Sequence, residues 1–466
     1  MSSLSDILNT GRQALLVQQL AMQVVGQNTA NVNTEGYTRR RLDLSTAPPY
    51  GGMSSGWEAG AGVDVEYLGR VRDRLLDEQI RRGGADLGYW TQRDDLLGRV
   101  EEIYSELGGS AISDQLQQFW AAWSDLSNQP EDMAGRIALL EKAQSLASGV
   151  RRVYRELASR RDQVDAQVVA GVDEVNALTS SIARLNVQVV HAETSGQEAS
   201  DLRDARDHAV DRLSQLMNVT VQENADGAVN VYNGGQILVQ LDRSVNLTVS
   251  AVNRNGQMVS VVTYGTSGGM LKLEGGELKA LVELRDGDIG RTMSDLDQFA
   301  VTLASRVNEV HRTGYGLTDS NGIEFFAADV TGAAEFRLSA LVVDDPSRIA
   351  TAAAAGAPGD NSIALRIASI QNEKLLRDGR STLDEFYRDS VLAVGSSKSY
   401  AAGQLQVEQA SMSNLENRRQ QISGVSLDEE MTRLVQVQQA YAAAARIVNT
   451  VDEMMQTVLA LGAGAA

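Results

Sequence analysis

Ser426-Leu-Asp-Glu429-Glu430-Met-Thr-Arg-Leu434-Val-Gln-Val437-Gln-Gln-Ala-Tyr441 opens the segment that decides the fold. Ser426 and Glu429 stand three apart behind Gly424, the spacing of a capping box in which each side chain satisfies the other's backbone amide. From there Leu434, Val437, Tyr441, Ala444, Val448, Val451, Met455 and Val458 recur at steps of three and four without a miss. That pattern predicts one helix about 50 Å long. A helix of this length must bury its stripe against something, because isolated helices are marginal in water.

A matching segment lies near the other end. Leu4, Leu8, Gly11, Leu15, Gln18, Met22 and Val25 follow the same spacing, and five of the seven are apolar. Both stripes have the 3.5-residue period of a coiled-coil seam. The first fails near Gly26, where the polar stretch 27–37 begins. The faces opposite are rich in Gln and Ala (Gln436, Gln438, Gln439, Ala442 to Ala445). A monomer's solvated surface is usually richer in charge, so these faces suit burial on several sides, as in a polymer.

Between the ends the pattern changes twice. Residues 68 to about 215 read as mainly helical, with Trp90, Phe119, Trp120 and Trp123 as core anchors. No Pro occurs between Pro130 and Pro346, which permits long helices. From 216 to 276 the period switches to strands, alternating around the turn pairs Asp226-Gly227 and Asn255-Gly256. Helix is expected again from Glu277 to His311. Phe336-Arg-Leu-Ser339 and Ala340-Leu-Val-Val343 read as short strands, and 360–422 as helix. The fold class is therefore mainly α with an inserted β region, in nested discontinuous layers. Residues 1–38 and 424–466 pair as an inner helical layer. Residues 39–215 and 277–423 form a mostly helical layer around it, and 216–276 project as a β insertion.

Composition narrows the function. The chain has 466 residues, 42 basic and 61 acidic, for a net charge of −19. That length suggests about three domains. The charge argues against nucleic acid as partner. No run of about 20 apolar residues predicts a membrane span, and the N-terminal residues lack the basic-then-apolar layout of a cleaved signal peptide. With no Cys, and with His191, His208 and His311 far apart, no local metal or thiol motif exists. No cofactor or catalytic residue is expected. Asp344-Asp345 and Glu429-Glu430 read as solvated surface, and Gly108-Gly109-Ser110 and Gly268-Gly269 as turns, since neither has the Lys and spacing of a P-loop. His208 sits in a run of charges and reads as exposed. His311 closes a helix, where it favours the C-terminal dipole.

The polar stretch Asn28-Thr-Ala-Asn31-Val-Asn33-Thr34-Glu35-Gly36-Tyr37 is, on physical grounds, a turn built from side-chain-to-backbone bonds and a left-handed Gly. Set behind a Leu/Gln helix, it resembles the signature of bacterial flagellar rod, hook and hook-associated proteins. The segment 426–441 is similar to the far end of the same axial proteins. Tyr37-Thr38-Arg39-Arg40, Gly275-Gly-Glu-Leu-Lys-Ala-Leu-Val-Glu-Leu-Arg285-Asp286 and Leu296-Asp-Gln-Phe-Ala with Val307-Asn308-Glu-Val-His311 resemble the FlgK family of hook-associated proteins, which form the hook–filament junction. No matching motif occurs in 216–265.

This resemblance implies a structural adaptor rather than an enzyme. The implied subunit leaves the cell through the flagellar type III apparatus without a cleaved signal, and lies outside the cell at the hook–filament junction. It implies an assembly interface on the two stripes, and partners of four kinds: further copies of the chain in a helically arranged ring, the hook protein, the next junction protein, and an export chaperone on the C-terminal helix. The readings set beside it are another axial protein (hook or distal rod) and an enzyme domain in 216–350 carried on a flagellar scaffold.

Overall fold

The computed structural model describes residues 2–34, 36–47, 62–106, 111–194, 196–254, 257–265 and 268–463. Glu35, Gly108-Gly109-Ser110 and the turn pair Asn255-Gly256 lie outside the described residues. Helix α1 (Ser2–Ala30) and helix α11 (Leu427–Ala463) pack along each other. Helices α2 (Arg74–Glu106) and α10 (Leu383–Ser423) form the most extensive inner pair, and α3 (Ala111–Asn128) packs on α4 (Met133–Glu193). At 61 residues α4 runs for about 90 Å. It starts at Asp132, whose carboxylate accepts the amides of Ala134 and Gly135, and no Pro interrupts it. Helices α5 (Ser200–Leu216), α6 (Glu277–Glu283), α7 (Gly290–His311), the single turn α8 (Ala340–Asp344) and α9 (Ser362–Ser369) complete the helical layer.

The core of this layer is continuous. Phe119 and Trp123, fully buried on α3, meet Phe325 and Phe326 with ring centroids 5.2–6.0 Å apart. Trp120 is buried beside them, while Trp90 is only partly covered and meets Tyr400 edge-on.

The β insertion holds strands β3 (Thr220–Glu223), β4 (Val229–Asn233), β5 (Gln236–Gln240) and β6 (Arg243–Ser244) in one antiparallel sheet. Strands β7 (Leu247–Arg254) and β8 (Gln257–Tyr264) form a second hairpin. Gly227 has φ +83°, as the Asp-Gly turn between β3 and β4 requires.

The structure differs from the sequence reading at several points. Residues 40–70 contain an unforeseen hairpin, β1 (Arg40–Thr46) against β2 (Val63–Arg70), so helix begins at Arg74, where Asp73 caps the amides of Leu75 and Leu76. Helix α1 continues past Gly26 to Ala30, because a single glycine costs a long helix only about 1 kcal/mol. The 336–343 segment is not paired strand. Leu338 makes one isolated bridge to Phe326, and Ala340–Asp344 is a helical turn with only Val342 buried. Residues 373–382 interrupt the helix expected over 360–422, in a turn where Arg377, Asp378 and Gly379 all have positive φ.

His311 closes α7 as read, but it is buried and neutral, so it adds no charge to the helix dipole. It is fully buried, with Nδ1 2.7 Å from the Ile323 carbonyl and Nε2 accepting the Ala350 amide at 2.9 Å. Nε2 therefore carries no proton and Nδ1 donates. Burial, with the Arg136 charge nearby, pushes the His311 pKa down to about 4. The unfolded chain binds this proton near pH 6.5 and the folded chain only near pH 4. Stability from the neutral ring is thus complete above pH 6.5 and falls as pH drops towards 4, by roughly 3 kcal/mol. Ring-carbon NMR of labelled protein is expected to show His311 neutral at pH 5. Titration of His311 near 6.5 would refute this.

Candidate assembly site and its anchor

The seam between α1 and α11 is antiparallel. Arg39, just beyond α1, donates its amide to the Ser423 carbonyl at 2.9 Å and its guanidinium to Glu429 at 2.7 Å, while Gly11 meets Val448 far up the pair. A Cβ on Gly11 would stand 2.8 Å from a Val448 methyl, so the helices close here because Gly11 has no side chain. With Gly11 opposite Val448, Leu4 falls level with Met455, Leu8 with Val451 and Leu15 with Ala444. Val25, Val437, Ala444 and Val451 are buried. Leu4, Leu8, Leu15, Met22, Leu434, Tyr441, Val448 and Met455 are half-buried, and Val458 is exposed.

A second buried face of α1 was not visible in the stripe. Thr10 lies against Gly62 and Gln13 reaches Asp64, both at the start of β2. Val17 and Val24 continue that face of the helix and are buried. The helix is therefore held between α11 and the β1–β2 hairpin.

The polar turn locks this pair to the surrounding helical layer. Asn28, fully buried, donates Nδ2 to the Arg40 carbonyl (3.0 Å) and accepts with Oδ1 from the Arg40 amide (3.0 Å) and the Tyr37 hydroxyl (2.9 Å). One side chain thus replaces a strand neighbour for Arg40. Asn31 bonds the Gln27 carbonyl and accepts from the Thr34 hydroxyl. Asn33 is exposed, and Gly36 turns the chain at φ +79°. The Arg40 guanidinium lies 5.5 Å from the Tyr37 ring centre. Burial raises the Tyr37 hydroxyl above its ordinary pKa, so it remains a donor.

The next residue makes the decisive connection. Thr38 donates its amide (3.2 Å) and hydroxyl (2.8 Å) to Asp204 of α5. Arg70 of β2 reaches Asp204, Asp207 and Glu198 at 2.7–2.8 Å, and Arg72 pairs with Asp207 and Asp77. Arg81 and Arg419 bring α2 and α10 to Asp211. Burial alone would raise the Asp207 carboxyl, but Arg72, Arg70 and Arg81 together hold it below the usual carboxylate range. Reading His208 as exposed in a charged run misses its neighbours: Asp204, Arg206 and Asp207 are buried. The missed signal was the spacing Asp201, Asp204, Asp207, Asp211, which puts four carboxylates on one flank of α5.

Glu429 is solvated apart from its pair with Arg39, but its neighbour Glu430 is not surface. Glu430 is 1% exposed, and its Oε2 lacks a hydrogen-bond partner among the described residues. The first turn of α11 packs on the Tyr37 turn, which covers one of two adjacent carboxylates. An unpartnered buried oxygen costs about 1–3 kcal/mol. Glu430→Met, which removes the unpartnered oxygen, is accordingly expected to raise the melting temperature of the terminal pair at pH 7. A drop of several degrees by circular dichroism would contradict that placement.

Beside the turn lies an open cleft of about 1500 Å³, walled by Asn33, His208, Arg212, Glu416 and Arg418 among others. Its charges are of both signs, so it selects no one class of small molecule.

Paired terminal helices, clamped by a polar turn to a long helical layer that carries a β insertion, define a structural subunit built to assemble rather than to catalyse. The family described as "Flagellar hook-associated protein FlgK helical domain" matches residues 97–326, and "Flagellar basal body rod FlgEFG protein C-terminal" matches 418–461. Flagellar hook-associated protein 1 of Bacillus subtilis (strain 168) is 28% identical, covering 97% of each chain. The Escherichia coli (strain K12) protein of that name is 23% identical over 98% of this chain and 100% of its own. The flagellar hook junction protein FlgK from Burkholderia pseudomallei shares the fold, with TM-score 0.64, 16% identity, and coverage of 74% of this chain and 99% of that one. The chain belongs to the flagellar hook-associated protein 1 (FlgK) family, and is a structural, non-enzymatic component of the extracellular flagellum.

Proposed function

We propose that this chain forms the ring joining hook to filament, with its terminal helices as the assembling element. The supporting observation is the node at Asn28, Tyr37, Thr38, Asp204 and Arg70, which fixes the direction of α1 and α11 against the surrounding helical layer. A junction needs such a fixed angle, because each copy must present its inner helices to neighbours in one orientation. On this reading residues 1–38 and 424–466 form the inner tube, 39–215 and 277–423 the helical layer around it, and 216–276 the outer face.

Both stripes, from Leu4 to Val25 and from Leu434 to Val458, belong to the assembling layer, with 28–37 setting the exit of the chain from it. The partners are further copies, the hook protein below, and the next junction protein above. Before export, a chaperone covers α11, whose exposed apolar residues would otherwise promote aggregation. Purified chain added to isolated hooks that lack it is expected to cap their distal ends in negative-stain images. Binding along the hook wall, or none, would refute the junction role.

A further inference from the structure

Helix α11 carries more apolar surface than α1 covers. At about 100° per residue, Ala444, Val448 and Val451 fall within about 40° of Val437, on the side facing α1. Leu427, Met431 and Val435 lie on one flank of that face, at about 80°, 120° and 160°. Ile447, Met454 and Val458 lie on the other flank, at about −80°, −100° and −60°. All six are exposed, from 44% (Val458) to 53% (Met454).

The two flanks are complementary along the helix. The flank that is apolar near the node turns polar above it, through Gln438, Asn449 and Gln456. The flank that is apolar near the end begins with Glu429 and Gln436 and passes through Ala440 and Ala443. The patches thus sit on opposite sides of one helix, their centres about 35 Å apart along its axis.

We infer that the Leu427/Met431/Val435 patch of one copy docks on the Ile447/Met454/Val458 patch of the next, with neighbouring α11 helices parallel and displaced by about 35 Å. This rests on the assembly role proposed above and specifies its contact. A two-fold dimer would pair one patch with itself and leave the other in water. Head-to-tail docking covers both, and because the patches differ in height each copy is shifted along the axis, so the contact propagates as a helix. The occupant of each patch is therefore a second copy of this chain, and both patches border the α1–α11 seam already described.

The absence of native Cys makes the test direct. Met431→Cys, Met454→Cys and the double variant are expressed as full-length chain in cells lacking the native protein, and isolated hook–basal bodies are oxidised. The double variant is expected to give a ladder of dimers, trimers and higher species, and each single variant none. Dimers from a single variant would show two-fold pairing and overturn the proposal. Double variant present at the hook tip without a ladder would overturn the docking while leaving the junction role intact. Protein absent from every hook structure would overturn both. A second pair removes dependence on disulfide geometry: Met431→Lys is expected to lower incorporation at least tenfold, and Met454→Glu in the same chain to restore it. A photo-reactive residue at 431 is expected to capture another copy, and capture of a different flagellar polypeptide would contradict the assignment.

Discussion

Val448→Asp is expected to leave the helical layer around the terminal pair folded and soluble and to abolish incorporation into the flagellum. Val448 is the residue against which Gly11 closes, so the substitution sets a carboxylate at the tightest point of the α1–α11 seam. The facing stripe is Leu8, Gly11 and Leu15, and none of the three can pair with a carboxylate. A charge in that position costs on the order of 3 kcal/mol. The continuous core of α2–α10 lies elsewhere, and Phe119, Trp123 and Phe325 do not depend on the seam. Far-UV circular dichroism and thermal melting of the α2–α10 layer should therefore change little, while hook-bound protein falls below detection. Normal incorporation of the variant would remove the C-terminal seam from its assigned role. Gly11→Ala offers a graded companion. Its methyl meets the same Val448 methyl, and Val448→Ala in the same chain should restore much of what it loses.

Arg70→Met should have the largest effect on stability. Arg70 is 8% exposed and faces Glu198, Asp204 and Asp207, whose side chains are 9–13% exposed. Deleting the cation leaves carboxylates buried without it, which costs about 3–5 kcal/mol. Asp204 would lose its counter-charge while still holding Thr38, so the turn that directs α1 should loosen first. Limited proteolysis is expected to cut within 31–39 in the variant and not in the native chain. The pH dependence has a defined sign. Asp207 has a folded pKa below its ordinary value, so the stability it contributes is present above about pH 4 and is lost as pH falls through the lower folded pKa. Native protein should therefore release its terminal pair in strong acid, whereas Arg70→Met should resist proteolysis poorly even at pH 7.

The legible parts of the structure were those written as periodicity. The seam stripes, the Asp226-Gly227 hairpin and the long Pro-free helices each follow from local spacing that needs no partner to be recognised. What escaped depends on distant residues. Strands β1 and β2 carry charge on alternate positions (Arg41, Asp43, Asp64, Glu66) and few β-branched residues, so they are weak as isolated strands and form because they meet α1 and each other. The acidic flank of α5 looked like solvated charge because its arginines come from β2, α2 and α10, up to 208 residues away. The burial of His311 and Glu430 escaped for the same reason: it is set by what packs across them, in one case the 323–350 segment and in the other the Tyr37 turn. Residues 340–343 were read as strand from composition, whereas a strand needs an edge to pair with and this segment has a single bridge beside it.

The central claim is position: this chain sits between hook and filament and nowhere else on the axis. Gold-labelled antibody on isolated hook–basal bodies, with and without attached filament, measures it. The account predicts label in one narrow band at the distal tip of the hook, present in both preparations. Label along the whole hook, on the rod below it, or on no flagellar structure would contradict it.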